Sequence, residues 1–218
     1  MKRIPEPELM LNEEQVQAYA AGDFSGPHNR FVQLFSNLFP EIEGYVLDLG
    51  CGAADVSLRF ARAYPRCIVH GLDGSPAMLK LGKRAIDKGH LDDRVKLLCH
   101  CLPVKELPLS KYDAVISNSL LHHLKDPQIL WQTVEQVANL GAPIFVMDLM
   151  RPQSEDQARK LIQTYAAYEP DILKEDFYNS LVAAYRLNEI RAQLQQAEMN
   201  SLKVRSVSDR HFIVYGRR

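Results

Sequence analysis

Tyr45–Val56 is the stretch that most restricts what this chain can become. It opens as an apolar run (Val46, Leu47, Leu49), breaks on Gly50 and Gly52, and continues from about Asp55 in a helical pattern. A buried strand feeding a helix through a glycine-rich turn gathers backbone N–H groups and the positive end of a helix dipole around a small pocket. Gly50 and Gly52 keep side chains out of that pocket and can take φ > 0. Asp48 places an acceptor at the carboxyl end of the strand, the edge where open α/β sheets bind ligands.

Beyond this turn the chain alternates between strand and helix. Strands are predicted at 45–49, 67–72, 95–99, 114–118 and 143–148, and Ala114–Asn118 is apolar enough to be covered on both faces. Helices start near Asp55, at Ser75-Pro76 and at Asp126-Pro127, the last two with a capping residue followed by an N1 proline. Such alternation implies a mostly parallel sheet with helices on both sides. Residues 202–207 and 211–215 read as a terminal antiparallel pair. The fold class is therefore α/β, a doubly wound, mostly parallel seven-stranded sheet with a terminal antiparallel pair and helical additions.

The additions lie at both ends. Residues 1–12, with Pro5 and Pro7, read as an irregular arm; 13–21 as a short helix; Gly22 to Pro27 as a break. Phe31, Leu34, Phe35, Leu38 and Phe39 then form one helical stripe that Pro40 ends. Residues 154–198 are expected to be helical throughout, opening on the capping box Ser154-x-x-Gln157 and divided at Pro170. The expected organisation is 1–44 packing on or over the site, and 45–218 as the ligand-binding domain with a helical insertion at about 152–180.

Charge and composition exclude several partners. The 26 basic and 27 acidic residues leave a net charge of −1, so nothing marks a nucleic-acid or anionic-membrane surface. No apolar stretch is long enough to span a membrane, and the N-terminus lacks the apolar core of a signal peptide. Four cysteines (Cys51, Cys67, Cys99, Cys101) show no C-x-x-C pair and no disulfide framework, as expected of a cytoplasmic protein.

The pocket's ligand can be narrowed. Asp73 ends the second strand 25 positions after Asp48 (73 − 48), one βαβ unit later, where a carboxylate can accept from both hydroxyls of a ribose. A dinucleotide needs G-x-G-x-x-G, and the third position of that frame is Asp55, whose charge would face the phosphates. S-adenosylmethionine has no phosphate, and the frame Asp48-x-Gly50-x-Gly52-x-Ala54 suits its amino-acid end. Over about residues 44–150 the chain resembles the class I S-adenosylmethionine-dependent methyltransferases, through VLDLGCG, GLDGSPAML and SNSLLHHL in the expected order.

The resemblance implies a Rossmann-like methyltransferase fold and S-adenosylmethionine as cofactor. It implies that Asp48, Gly50, Cys51 and Gly52 hold the methionine end and Asp73 the ribose. Gly74 and Met78 would flank the adenine, and Ser117 and Asn118 would border the reacting sulfonium. Ala54 replaces the third motif glycine. Where the family often has an adenine-binding Asp, this chain has His100-Cys101-Leu102, so recognition there would lean on backbone and packing at Cys101 and Leu102.

Methyl transfer from a sulfonium is an in-line displacement that asks mainly for alignment and exclusion of water. A base is needed only where the acceptor must first lose a proton. His122, His123 and Asp148 are the candidates. No metal site is expected from Cys99, Cys101 and the histidines, since the reaction needs no Lewis acid. Tyr19, Phe24, His28, Tyr165, Tyr168 and Phe177 could cover a small-molecule acceptor. The alternative is a noncatalytic S-adenosylmethionine-binding protein that acts through a partner.

Overall fold

The structure, a computed structural model, describes residues 1–6 and 13–218. The part of the expected N-terminal arm at 7–12 lies outside the described residues, and residues 1–6 are without regular structure. Two helices, α1 (Glu13–Ala21) and α2 (Ser25–Leu38), precede the sheet. The core then runs β1 (Gly44–Leu49), α3 (Asp55–Ala63), β2 (Cys67–Asp73), α4 (Pro76–Gly89), β3 (Val95–Cys99), β4 (Ala114–Asn118), α5 (Gln128–Val137) and β5 (Pro143–Leu149). Three helices follow, α6 (Glu155–Tyr165), α7 (Asp171–Ala183) and α8 (Leu187–Gln196), before β6 (Lys203–Ser206) and β7 (His211–Arg217).

The seven strands lie in the order β3-β2-β1-β4-β5-β7-β6, with β7 antiparallel to both β5 and β6 and all other pairs parallel. The chain winds outward from β1 in both directions, so the crevice between the ends of β1 and β4 is the topological switch point. Strand alternation divides the core in two. Leu47, Leu49 and Val115 pack with Trp131, Ile190 and Leu194 of α5 and α8. Val46, Ile116 and Phe145 pack with Phe31, Phe35, Phe60 and Ile86 of α2, α3 and α4.

Two boundaries differ from expectation. The second helix begins at Ser25, not after Pro27. Gly26 and Pro27 sit in its first turn, where proline's missing N–H has no intrahelical acceptor to lose. The segment 154–198 is interrupted at Pro170 as expected and again at 184–186, where Tyr185 leaves the helix to bridge Met150 beside β5. Only α8 is needed to cover the sheet. The two preceding helices, α6 and α7, pack on each other at the carboxyl edge.

The aromatic stripe of α2 ties the N-terminal helices to the sheet. Phe31 and Phe35 meet Phe145 edge-on, at centroid distances of 4.9 and 5.6 Å, and all three rings are fully buried. Phe145→Ala should therefore destabilise the fold by about 3–5 kcal/mol. Urea unfolding followed by far-UV circular dichroism measures this, and a loss below about 1 kcal/mol would contradict the packing described.

Candidate active site

The turn between β1 and α3 is left-handed at three positions: Gly50 (φ +73°), Gly52 (φ +52°) and Ala54 (φ 62°). A Cβ on Gly50 would stand 2.8 Å from that of Leu120, so glycine is required there for space as well as for φ. Ala54 carries its methyl in the same backbone region, a strain of the order of 1 kcal/mol that the third glycine of the motif would avoid. The N–H groups of Gly50 and Cys51 both donate to the Leu72 carbonyl (2.8 and 3.0 Å). That contact draws the turn against the end of β2 and brings Asp73 beside it.

Three carboxylates surround the turn, each in a different state. Asp73 accepts from the Gly52 N–H at Oδ2 and from the Ser75 N–H at Oδ1, both at 2.8 Å. Each oxygen keeps lone-pair capacity for a further donor. Asp48 is buried and accepts from the Ser57 hydroxyl at 2.5 Å. Burial, with the Asp73 charge adding to it, pushes the Asp48 carboxyl up to about 7 against that hydrogen bond. Asp55, at the N-terminus of α3, is partly buried, which opposes its ionisation. His28 Nδ1 (2.6 Å) and Arg59 Nε (2.7 Å) outweigh that and hold it down at about 2.

These groups open onto a cavity of about 690 Å³, within the range of small-molecule sites. Of the sequence-predicted residues, Asp48, Gly50, Cys51, Gly52, Asp73, Gly74, Met78, Cys101, Leu102 and Asn118 line it. Asn118 Oδ1 is buried there without a hydrogen-bond partner, an acceptor facing ligand space. Ser117 is not brought to the cavity. Its hydroxyl donates to the Leu49 carbonyl (2.8 Å) and links β4 to β1 inside the sheet.

The helical additions wall one side of the cavity. Tyr19, Phe24, His28, Tyr165 and Phe177 line it, whereas Tyr168 is fully exposed and does not. Tyr19 stacks on Phe24 at 4.4 Å, and α1 rests on both α4 and α7. Sequence reasoning missed Asp176, Ser180, Arg210 and His211, which also line the cavity. The last two were within reach of it, since β7 runs antiparallel and its first residue, paired with Leu149, must stand at the carboxyl edge.

His122 and His123 lie on a 3₁₀ turn (Leu121–His123) just past β4, and both line the cavity. Asp148 does not reach it but stands behind His122. Its Oδ2 accepts from the Leu121 N–H (2.7 Å), and its Oδ1 accepts from the Leu149 N–H (2.6 Å) and meets His122 Nδ1 at 2.5 Å. Burial opposes ionisation of Asp148, but His122 and these N–H groups hold its carboxyl below the usual range. An ionised Asp148 only accepts, so His122 carries a proton on Nδ1 and directs Nε2 away from the sheet, toward Glu6 Oε1 at 3.4 Å. Burial opposes the imidazolium, but Asp148 and then Glu6 outweigh it and raise the His122 pKa.

A doubly wound sheet with this glycine turn, a carboxylate after β2 and an antiparallel last strand is the class I methyltransferase fold. Residues 46–143, just under half of the chain, match the family described as "Methyltransferase domain". A malonyl-[acyl-carrier protein] O-methyltransferase of Priestia megaterium is 31% identical over 47% of this chain and 35% of its own length. A trans-aconitate 2-methyltransferase of Mycobacterium tuberculosis is 32% identical over 53% of this chain and 41% of its own length. The chain thus spans well under half the length of these curated relatives. The plantazolicin methyltransferase BpumL, solved with a pentazolic desmethylPZN analog and SAH, superposes with a TM-score of 0.70 over 94% of this chain and 91% of its own, at 14% identity.

The raised Asp48 carboxyl has a consequence for stability. The unfolded chain releases this proton near 3.8 and the folded chain near 7, so the folded form holds more protons in between. The contribution of Asp48 to stability is full below about 3.8 and is lost as pH rises to about 7. Asp48→Asn should remove that slope, making the variant relatively more stable than the parent at about pH 8 than at about pH 5. Urea midpoints at the two pH values test this, and parallel profiles for parent and variant would contradict it.

Proposed function

We propose that this protein is an S-adenosylmethionine-dependent methyltransferase that transfers a methyl group to a small-molecule acceptor in the cytoplasm. The observation that carries the reading is the pairing of Asp73 with Asp55 around one glycine turn. Asp73 offers two oriented oxygens to a ribose, while Asp55, ionised and fastened to His28 and Arg59, occupies the helix N-terminus that a pyrophosphate would need. A nucleoside without phosphate satisfies both.

The residues present fit that cofactor, which when bound supplies an activated methyl group on a sulfonium. Asp73 takes the ribose. Asn118 Oδ1, buried and unpartnered, takes a donor from the ammonium end, next to Asp48 and the Gly50–Gly52 turn. Gly74, Met78, Cys101 and Leu102 border the base. The aromatic side chains of α1, α2, α6 and α7 exclude water from the reacting centre and give the acceptor an apolar wall. Where the acceptor is a hydroxyl or an enol, His122 is the group placed to accept its proton at Nε2, oriented by Asp148.

Several features support the finer parts of the reading. A cavity of about 690 Å³ with an apolar wall suits a small acceptor. Among the described residues no helix is long and apolar enough to cross a membrane, and the four cysteines are free. The small-molecule relative and the SAH-bound structural neighbour point in the same direction.

Two measurements test the proposal. Calorimetry should show binding of S-adenosylhomocysteine and none of NAD, and Asp73→Ala should weaken that binding by about 1.5–3 kcal/mol. Binding of NAD instead, or an unchanged affinity in the variant, would overturn the cofactor assignment. With an acceptor in hand, His122→Gln should lower kcat by about 10²–10⁴-fold while leaving S-adenosylhomocysteine affinity unchanged. Full activity in that variant would remove His122 from the chemistry.

A further inference from the structure

The N-terminal six residues are pinned to the acceptor side of the cavity. Arg3 donates to the carbonyls of Ala183, His122 and Leu124, and the Ile4 N–H donates to the Val182 carbonyl. This places Glu6, 116 positions before His122 in sequence (122 − 6), directly against the histidine pair. Glu6 Oε1 stands 3.4 Å from His122 Nε2 and 3.2 Å from His123 Nδ1, and the Ser180 hydroxyl donates to it at 3.1 Å. One ligand atom from each of Glu6, His122 and His123 lies within 4.8 Å of the other two.

We propose that Glu6, His122 and His123 form a binding site for a first-row divalent cation of the zinc type, open to the acceptor side of the cavity.

Geometry is the first argument. Charge-assisted hydrogen bonds between carboxylate and imidazolium close to about 2.7–2.9 Å, and both contacts here are longer. Ligand atoms about 2.0–2.1 Å from a tetrahedral centre stand about 3.3–3.4 Å apart, close to the two edges that Glu6 makes with the histidines. The second argument is what lies behind the ligands. Asp148 holds His122 through Nδ1 and turns Nε2 toward Glu6, the carboxylate–histidine arrangement that orients metal ligands. Ser180 orients Glu6 in the same way.

The polar surroundings agree. Among the described residues, Asp148 stands behind His122 and Asp176 lies near Glu6, and Arg3 directs its N–H groups to carbonyls rather than to any of these three acids. Two imidazoles and one carboxylate favour zinc and its neighbours over magnesium or calcium, which prefer all-oxygen shells. Three protein ligands leave a coordination position free, and both histidines line the cavity. With the cation bound, His122 no longer serves as a proton acceptor. A hydroxyl at the open position would be acidified by the cation and would release its proton to bulk solvent as it binds. The sequence expectation of no metal site weighed the histidines with cysteines; the third ligand comes from a segment that spacing does not connect to them.

The test uses the full chain, stripped by chelator and free of cofactor and acceptor, so its outcome is independent of the methyl-transfer reading. Titration with zinc chloride should give one site per chain that excess magnesium chloride does not displace. Cobalt(II) chloride should give the intense visible bands of a tetrahedral ion without the near-ultraviolet absorption of a cobalt–thiolate bond. Glu6→Gln and His123→Gln should each weaken zinc binding by at least about ten- to hundredfold, with S-adenosylhomocysteine affinity retained as the check on folding. No stoichiometric zinc binding, a thiolate band pointing to the cysteines, or full affinity in both variants would each overturn the site.

Discussion

Everything at the carboxyl edge depends on how closely the β1–α3 turn can approach its neighbours. Gly50 has the Leu120 side chain where its own would be, and the turn's N–H groups are tied to the last carbonyl before Asp73. One close approach therefore sets the spacing between three chain segments that are far apart in sequence. It leaves the Gly52 N–H directed at Asp73, and it lets the segment after β4 pass directly over the turn toward His122. A side chain at position 50 would push that segment outward and open the cavity between its two working halves.

The acids at the carboxyl edge show how one residue type is put to different uses by its neighbours. Asp73 and Asp148 are held by backbone N–H groups, Asp55 by two cationic side chains, and Asp48 by a single hydroxyl. The first three are positioned to stay ionised or to accept further donors. Asp48 resists ionisation and so avoids placing a second bare charge beside Asp73. The difference lies in the partners each fold position supplies, not in the sequence around each acid.

The strand–helix core was legible because its signals are local. Apolar runs, Ser75-Pro76, Asp126-Pro127 and the two glycines each act over a few residues, and the predicted strands fall within a residue or two of those observed. The antiparallel end also follows from the last two apolar segments, whereas alternation alone leaves the strand order open. Ser117 was misplaced for a physical reason. It shares a strand end with Asn118, and neighbouring strand residues face opposite sides, so one reaches the cavity and the other bonds within the sheet. Glu6, Asp176 and Ser180 were illegible because they reach the site through tertiary packing of helices and an arm that carry no motif.

The roof over the cavity is fastened differently from the rest of the molecule. Among the described side chains of α1, only Val16 is buried, and its ties to neighbouring elements include Gln15 to Asp176 and the Tyr19–Phe24 stack. The sheet and α2 are held by fully buried rings. Local opening free energy follows buried apolar contact, so parting α1 from its neighbours should cost less than opening the sheet. The ties described for this edge of the cavity, one ring stack, one amide–carboxylate hydrogen bond and one buried valine, are slight beside the rings that lock α2 to the sheet.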